Sequence, residues 1–169
     1  MSAIVEIDEQ NGDSASPAIT HSVGNSNMGS SDTPNLDPAA FPITPGQNSF
    51  EKWHLIHLTD LGASSRVSNI QIWRTGAMGK HAIHLTNARK TNYAGAAPYT
   101  TPRTGTSTVA TEIMPASNPG SANLGIGGSL TGSLTEPGYS DFLVQQIQTA
   151  TPALAGSSTI LNYQYDEIA

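Results

Sequence analysis

The chain has 169 residues, only 12% of them charged, a net charge of −6 and no cysteine. That length supports one domain with a real core and not two ordinary ones. The missing thiols exclude disulfides and cysteine metal ligands, so stability must come from packing, a partner or assembly.

The charge is unevenly spread. Residues 1–51 carry seven acids and no Lys or Arg, residues 52–103 carry all seven bases and one acid, and residues 104–169 carry five acids. An acidic start with only Ala3-Ile4-Val5 as an apolar run gives no sign of a secretory signal, and no stretch approaches the roughly 20 apolar residues that span a bilayer. The expectation is a soluble chain made in the cytoplasm. The basic middle lacks an Arg-rich helix or RNP-like motif, so it reads as a solvated sheet face or a surface for an acidic partner, not a nucleic-acid site.

In chain order, Ala3 to Ile7 reads as a short strand. From Asp8 to Gln47 the sequence is Ser, Gly, Asn, Asp and Pro, and Pro17, Pro34, Pro38, Pro42 and Pro45 block helix and central-strand pairing. So polar a segment cannot by itself bury enough apolar surface to offset its ordering entropy. Residues 1–47 are therefore expected to form an extended or partly disordered arm, ordered by a neighbour, ahead of a domain at 48–169. Leu36, Phe41 and Ile43 are its candidate partner-binding residues. The alternative is a flexible tail that contacts nothing.

The stretch from Asn48 to Thr75 holds both tryptophans, Trp53 and Trp73, and the densest apolar pattern. Two runs rich in aromatic and β-branched residues, split by Asp-Leu-Gly-Ala-Ser-Ser, predict paired antiparallel strands. The first is apolar on both faces and should be central. In the second, Ile70, Ile72 and Arg74 point one way and Val67, Asn69, Gln71 and Trp73 the other. An indole buries roughly 150–250 Å², so the pair should lie at the centre of the core.

Further strands are predicted at Lys80 to Thr86, Ser107 to Met114, Tyr139 to Thr149 and Ser157 to Ile168. Asp141 to Gln148 is short enough to be helical on propensity, but its Gly/Ser neighbours and β-branched residues favour a strand. Asn87 to Arg103 reads as a long loop, and its Tyr93 and Tyr99 are further candidate binding residues. Strands joined by Gly/Pro loops without helical periodicity give an all-β fold, an antiparallel β-sandwich of jelly-roll type. Its interior should hold Trp53, Leu55, Ile70, Ile72, Phe142, Val144, Leu161 and Tyr163.

Candidate chemistry is sparse. His54/His57 and His81/His84 form two His-x-x-His pairs, but on strands an odd separation sends the two rings to opposite faces. A zinc site would have to be built across strands, from His54 with His81 or His84, and the sequence shows no nearby carboxylate cluster to complete it. No metal or other cofactor is expected. Gly125-Ile126-Gly127-Gly128 lacks the Lys-Ser/Thr of a phosphate loop and reads as a turn. There is no Gly-x-Ser-x-Gly elbow, and no carboxylate pair is placed for catalysis, so no catalytic residue is assigned and no enzyme is expected.

Asn-Ser-Phe-Glu-Lys-Trp (48–53), Val-Ser-Asn-Ile-Gln-Ile-Trp (67–73), Tyr99-Thr-Thr-Pro102, Gly-Tyr-Ser-Asp-Phe-Leu-Val-Gln-Gln-Ile (138–147) and Tyr-Gln-Tyr-Asp-Glu (163–167) together resemble a family of small virion structural proteins of tailed bacteriophages. The resemblance covers residues 40–169 and leaves the arm outside. It implies a capsid decoration (cement) protein first, and a tail, baseplate or fibre component with a carbohydrate-binding role second. The implied partners are the major capsid protein or other virion subunits and further copies of the chain, with no membrane or nucleic-acid role. The implied location is the virion, assembled in the host cytoplasm. The shared motifs are structural, and the resemblance carries over no catalytic residue.

Overall fold

The structure, a computed structural model, describes residues 1–154, 156 and 158–169. Its strands are β1 (Ile4–Asn11), β2 (Ala18–Thr20), β3 (Lys52–Asp60), β4 (Arg66–Thr75), β5 (Ala82–Thr86), β6 (Glu112–Ile113), β7 (Ser133–Leu134), β8 (Gly138–Tyr139), β9 (Leu143–Thr149) and β10 (Ile160–Ile168), with no helix among the described residues. All pairings are antiparallel. A seven-stranded sheet in the order β2-β1-β3-β9-β5-β6, with β8 also on β3, packs against a three-stranded sheet in the order β10-β4-β7. The all-β antiparallel sandwich read from the sequence is the architecture of the structure.

The expected hairpin between residues 48 and 75 is corrected. β3 and β4 do not pair. β3 lies in the large sheet between β1 and β9, and β4 lies in the small sheet between β10 and β7. Both edges that a hairpin would use are already taken. The connection is an arch from one sheet to the other, stitched by Ala63 N–H donating to Met1 O and Ser65 N–H donating to Ile168 O. Gly62 sits at its bend with φ +59, in the left-handed region that suits glycine.

β4 also breaks the simple two-residue alternation. Its register against β10 runs Gln71↔Gln164 and then Ser68↔Asp166, so β4 carries one extra residue there, and Asn69 lies in that bulge at φ +55. The bulge returns Val67 to the interior alongside Ile70 and Ile72.

Other boundaries move for local reasons. The predicted strand at 139–149 splits into β8 and β9, because Ser140 satisfies Ile56 on both sides: its N–H donates to Ile56 O and its Oγ accepts from Ile56 N–H. Of the predicted strand at 107–114 only Glu112–Ile113 pairs, while Ser107 Oγ accepts from Val109 and Ala110 N–H and turns the chain. β10 begins at Ile160; Ser157, where that strand was expected to start, lies outside the described residues.

The N-terminal boundary shifts most. Asp8 to Asn11, read with the arm, are the buried half of β1, which pairs along β3 from Ile4↔Asp60 to Gln10↔Trp53. Two apolar groups hold the sandwich. Between the sheets lie Ile56, Leu143, Ile70, Ile72, Met114 and Leu124, with Leu161 and Tyr163 half-buried against them. On the outer face of the large sheet, Trp53 and Val144 are covered by the loop at 87–111, whose Tyr99 meets the Trp53 indole edge-on at 5.2 Å. Phe142 is half-buried in this second group, and Trp73 is half-buried on β4.

Candidate functional sites

The odd spacing sends His54 to the inner face of the large sheet and His57 to the outer one, and each meets a different polar cluster. The inner cluster is a relay across four strands. Glu9 on β1 and His54 on β3 are direct cross-strand partners, and Lys52 faces Gln145 on β9, which in turn faces Thr86 beside His84 on β5. Lys52 Nζ reaches Glu9 Oε1 at 2.5 Å and also Thr33 O at 2.6 Å, and Asn11 Nδ2 donates to both Glu9 Oε1 and Asp32 Oδ1. His54 Nε2 lies 3.3 Å from Glu9 Oε2, Gln145 Nε2 lies 3.1 Å from His54 Nδ1, and His84 Nε2 lies 2.8 Å from Gln145 Oε1.

One set of proton positions satisfies all of these contacts. His54 donates from Nε2 to the carboxylate, so its Nδ1 is bare and accepts from the Gln145 amide. The amide oxygen then accepts from His84 Nε2–H, and His84 Nδ1 is left bare without a protein partner. Burial pushes the His84 imidazole down to about 4, the Arg74 cation adds to this, and the Gln145 hydrogen bond opposes it. His84 is therefore neutral at physiological pH. Burial alone would raise the Glu9 carboxyl, but His54 and Lys52 outweigh it and hold the group below the usual carboxylate range. His84 and Gln145 line a cavity of about 350 Å³ with Asn25, Ser26 and Leu161.

The outer cluster gathers around His57. Its cross-strand partner is Glu6, Asp8 is two residues further along the same face of β1, and β2 pairs Thr20 with Glu9 so that His21 follows opposite Asp8. One ligand-type atom from each of Glu6, Asp8, His21 and His57 falls within 4.8 Å of all the others. The sequence reading, which saw no carboxylate cluster near the histidines, is corrected here. The carboxylates come from the segment read as an arm, some fifty residues from His57, and only the β1–β3 register brings them together.

A separate carboxylate, Asp141, explains the glycine-rich loop. Asp141 is buried and accepts from Tyr93 Oη at 2.7 Å and from Gly128 N–H at 3.0 Å. The Gly125–Gly128 turn thus cradles an anion of its own chain. Burial, with the Asp141 hydrogen bond, raises the Tyr93 hydroxyl above its ordinary value.

The structure scatters the candidate partner-binding residues. Leu36 is 2% exposed in the protein's own interior and is corrected as a partner contact. Tyr93 and Tyr99 are half-buried and bonded internally, Tyr93 to Asp141 and Tyr99 to Gly12 O at 2.7 Å. Phe41 stays 42% exposed, and Ile43 lines a second cavity of about 360 Å³ with Pro38, Pro42, Pro45, Met78 and Leu154. Leu154 is 78% exposed on its rim and Ile160, at the start of β10, is 67% exposed. No strand pairs with the outer side of β10 among the described residues. This apolar groove was not legible as a unit, because its walls come from four separate stretches of chain, represented by Met28, Ile43, Met78 and Leu154.

Comparison with family models, curated proteins and solved structures gave no match to this chain.

Proposed function

We propose that the protein is a non-enzymatic structural component of a tailed-phage virion, a capsid decoration protein that docks on the assembled head and meets further copies of itself there. The observation that supports this reading is the groove lined by Pro38, Pro42, Ile43, Pro45, Met78 and Leu154, which reaches Thr159 at the foot of β10, a strand whose outer edge is unpaired among the described residues; Phe41 and Ile160, chain neighbours of lining residues, are exposed beside it in sequence. Apolar side chains grouped next to a free strand edge favour a protein neighbour, which can bury them and continue the sheet. Assembly would add stability by mass action to a chain without disulfides. The reading assigns no membrane or nucleic-acid role, and it places the protein in the virion.

A tail, baseplate or fibre role with sugar binding would need open aromatic platforms. The two loop tyrosines nominated for it are instead engaged in internal hydrogen bonds. The test is co-sedimentation of the purified protein with assembled heads that lack it. Binding is expected for the native chain and is expected to fall at least tenfold when Phe41, Leu154 and Ile160 are all changed to Ser, a shift of about 1.4 kcal/mol or more. Equal binding by the triple variant, or no binding to heads by the native chain, would overturn the proposal.

A further inference from the structure

The geometry points to a divalent transition-metal site, of the zinc class, formed by Glu6, Asp8, His21 and His57. It is independent of the docking surface proposed above. His21 Nδ1 lies 2.6 Å from Asp8 Oδ2 and 4.0 Å from Glu6 Oε1, and His57 Nδ1 lies 3.0 Å from each of those oxygens. Tetrahedral ligands at 2.0–2.1 Å from a zinc ion sit about 3.3 Å from one another. These four separations, 2.6 to 4.0 Å, straddle that value, and all four atoms lie within 4.8 Å of one another. Two imidazole nitrogens and two carboxylate oxygens suit zinc, which accepts both donor types.

The surroundings hold the donors in place as outer-shell groups do around metal ligands. Ser22 N–H donates to Asp8 Oδ1 at 3.0 Å, leaving Oδ2 to face the two histidines. The Tyr139 ring stacks on the His57 imidazole with centroids 4.2 Å apart and planes 21° from parallel, which holds the plane of that ring. Charge gives a second and independent reason. The Asp8 side chain is fully buried and that of Glu6 is 26% exposed, and neither forms an ion pair with Lys or Arg among the described residues. Two carboxylates are thus gathered against two histidines and the Ser22 N–H with no Lys or Arg beside them, and a dication would neutralise both. Two carboxylates this close repel each other, and a metal ion between them would compensate both at once.

With four protein ligands the site is closed, as structural zinc sites are. The ligands come from β1, from the residue after β2 and from β3, so a bound ion would pin the excursion at 12–22 to the sheet. The test uses the full-length untagged protein, stripped with chelator and titrated with zinc. One equivalent per chain is expected to bind and to raise the melting temperature, and cobalt in its place should give the intense visible bands of four-coordinate cobalt. His21→Gln lies at the surface and should fold normally, yet it and His57→Gln should each weaken zinc binding about tenfold or more, while His81→Gln should not. Absence of stoichiometric binding to the folded native chain, or binding retained in either His21→Gln or His57→Gln, would overturn the assignment.

Discussion

His84 shows how one buried atom sets a property of the whole fold. Its ring has a single protein hydrogen bond, through Nε2, and its pKa is held down to about 4 against an ordinary value of 6.5. The unfolded chain therefore binds a proton that the folded one does not between those two values, and stability must rise with pH across that interval and level off above it. The contribution lost on descending the whole interval is about 3 kcal/mol at 1.36 kcal/mol per unit. Glu9 acts in the same direction but lower. Its folded value lies below 4.5, so its contribution is complete above 4.5 and is lost as pH falls through the folded value. Urea unfolding of the native protein and of His84→Asn should separate the two. The native chain is expected to lose stability from pH 6.5 down to about 4, and the variant should be flatter over the same interval. Parallel curves for the two proteins would mean that His84 does not titrate as its burial requires.

At the scale of elements, the strands were legible and their partners were not. Alternation and β-branched content announce β3, β4, β5, β9 and β10, because a half-buried strand must repeat every two residues. Whether adjacent strands pair depends on which other strands compete for their edges, and that information lies in β1 and β10, at the far ends of the chain. The same reason hid the metal cluster: Glu6 and Asp8 look like ordinary members of an acidic tail until β1 is laid along β3. His57 was singled out by its motif, but the spacing that matters to it is across strands. Asn69 hid the bulge, since nothing in an unbroken strand pattern marks the one residue that slips.

The arch between β3 and β4 gives an element-scale test. A methyl group on Gly62 would run into the main-chain carbonyls of Met1 and Ser2, and φ there is already in the left-handed region. Gly120 has a similar φ of +74 but nothing within 4 Å of where its methyl would stand. Gly62→Ala is expected to destabilise the protein by about 1–3 kcal/mol, and by more than Gly120→Ala, which carries the backbone term alone. Thermal unfolding of the two variants side by side checks this. Equal losses would show that the N-terminal strand does not clamp the arch.

For the whole molecule, the question is what orders forty polar residues. Apolar burial does little of it, since Leu36 is the one large apolar side chain between residues 12 and 47 that is fully buried. The contacts are polar and specific. Asp32 accepts from Asn11 Nδ2 and Gly12 N–H, Asn35 Oδ1 accepts from Gly24 N–H at 2.5 Å, Thr33 O receives Lys52 Nζ, and Gly29 O accepts from Phe50 N–H. The segment caps the polar half of the inner sheet face, where Glu9, Lys52, His54 and Gln145 would otherwise meet water. Composition predicted an arm that waits for a neighbour because it weighs apolar area and does not register hydrogen bonds made to a prepared polar face. A chain beginning at Pro45 would lose β1 along β3 from Trp53 to Asp60, together with the Glu9 carboxylate and the Thr33 carbonyl that hold Lys52, and would open the polar sheet face to water. That removes a whole strand's ladder from the large sheet, at about 0.5–1.5 kcal/mol net for each hydrogen bond lost, besides the apolar area that β1 covers. Against the 5–15 kcal/mol that holds a typical domain together, the combined loss should abolish folding. The expected result is no cooperative urea transition and a sharp fall in proteolytic resistance for the truncated chain. A truncated chain that unfolds cooperatively at the native midpoint would return residues 1–44 to the status of a dispensable tail.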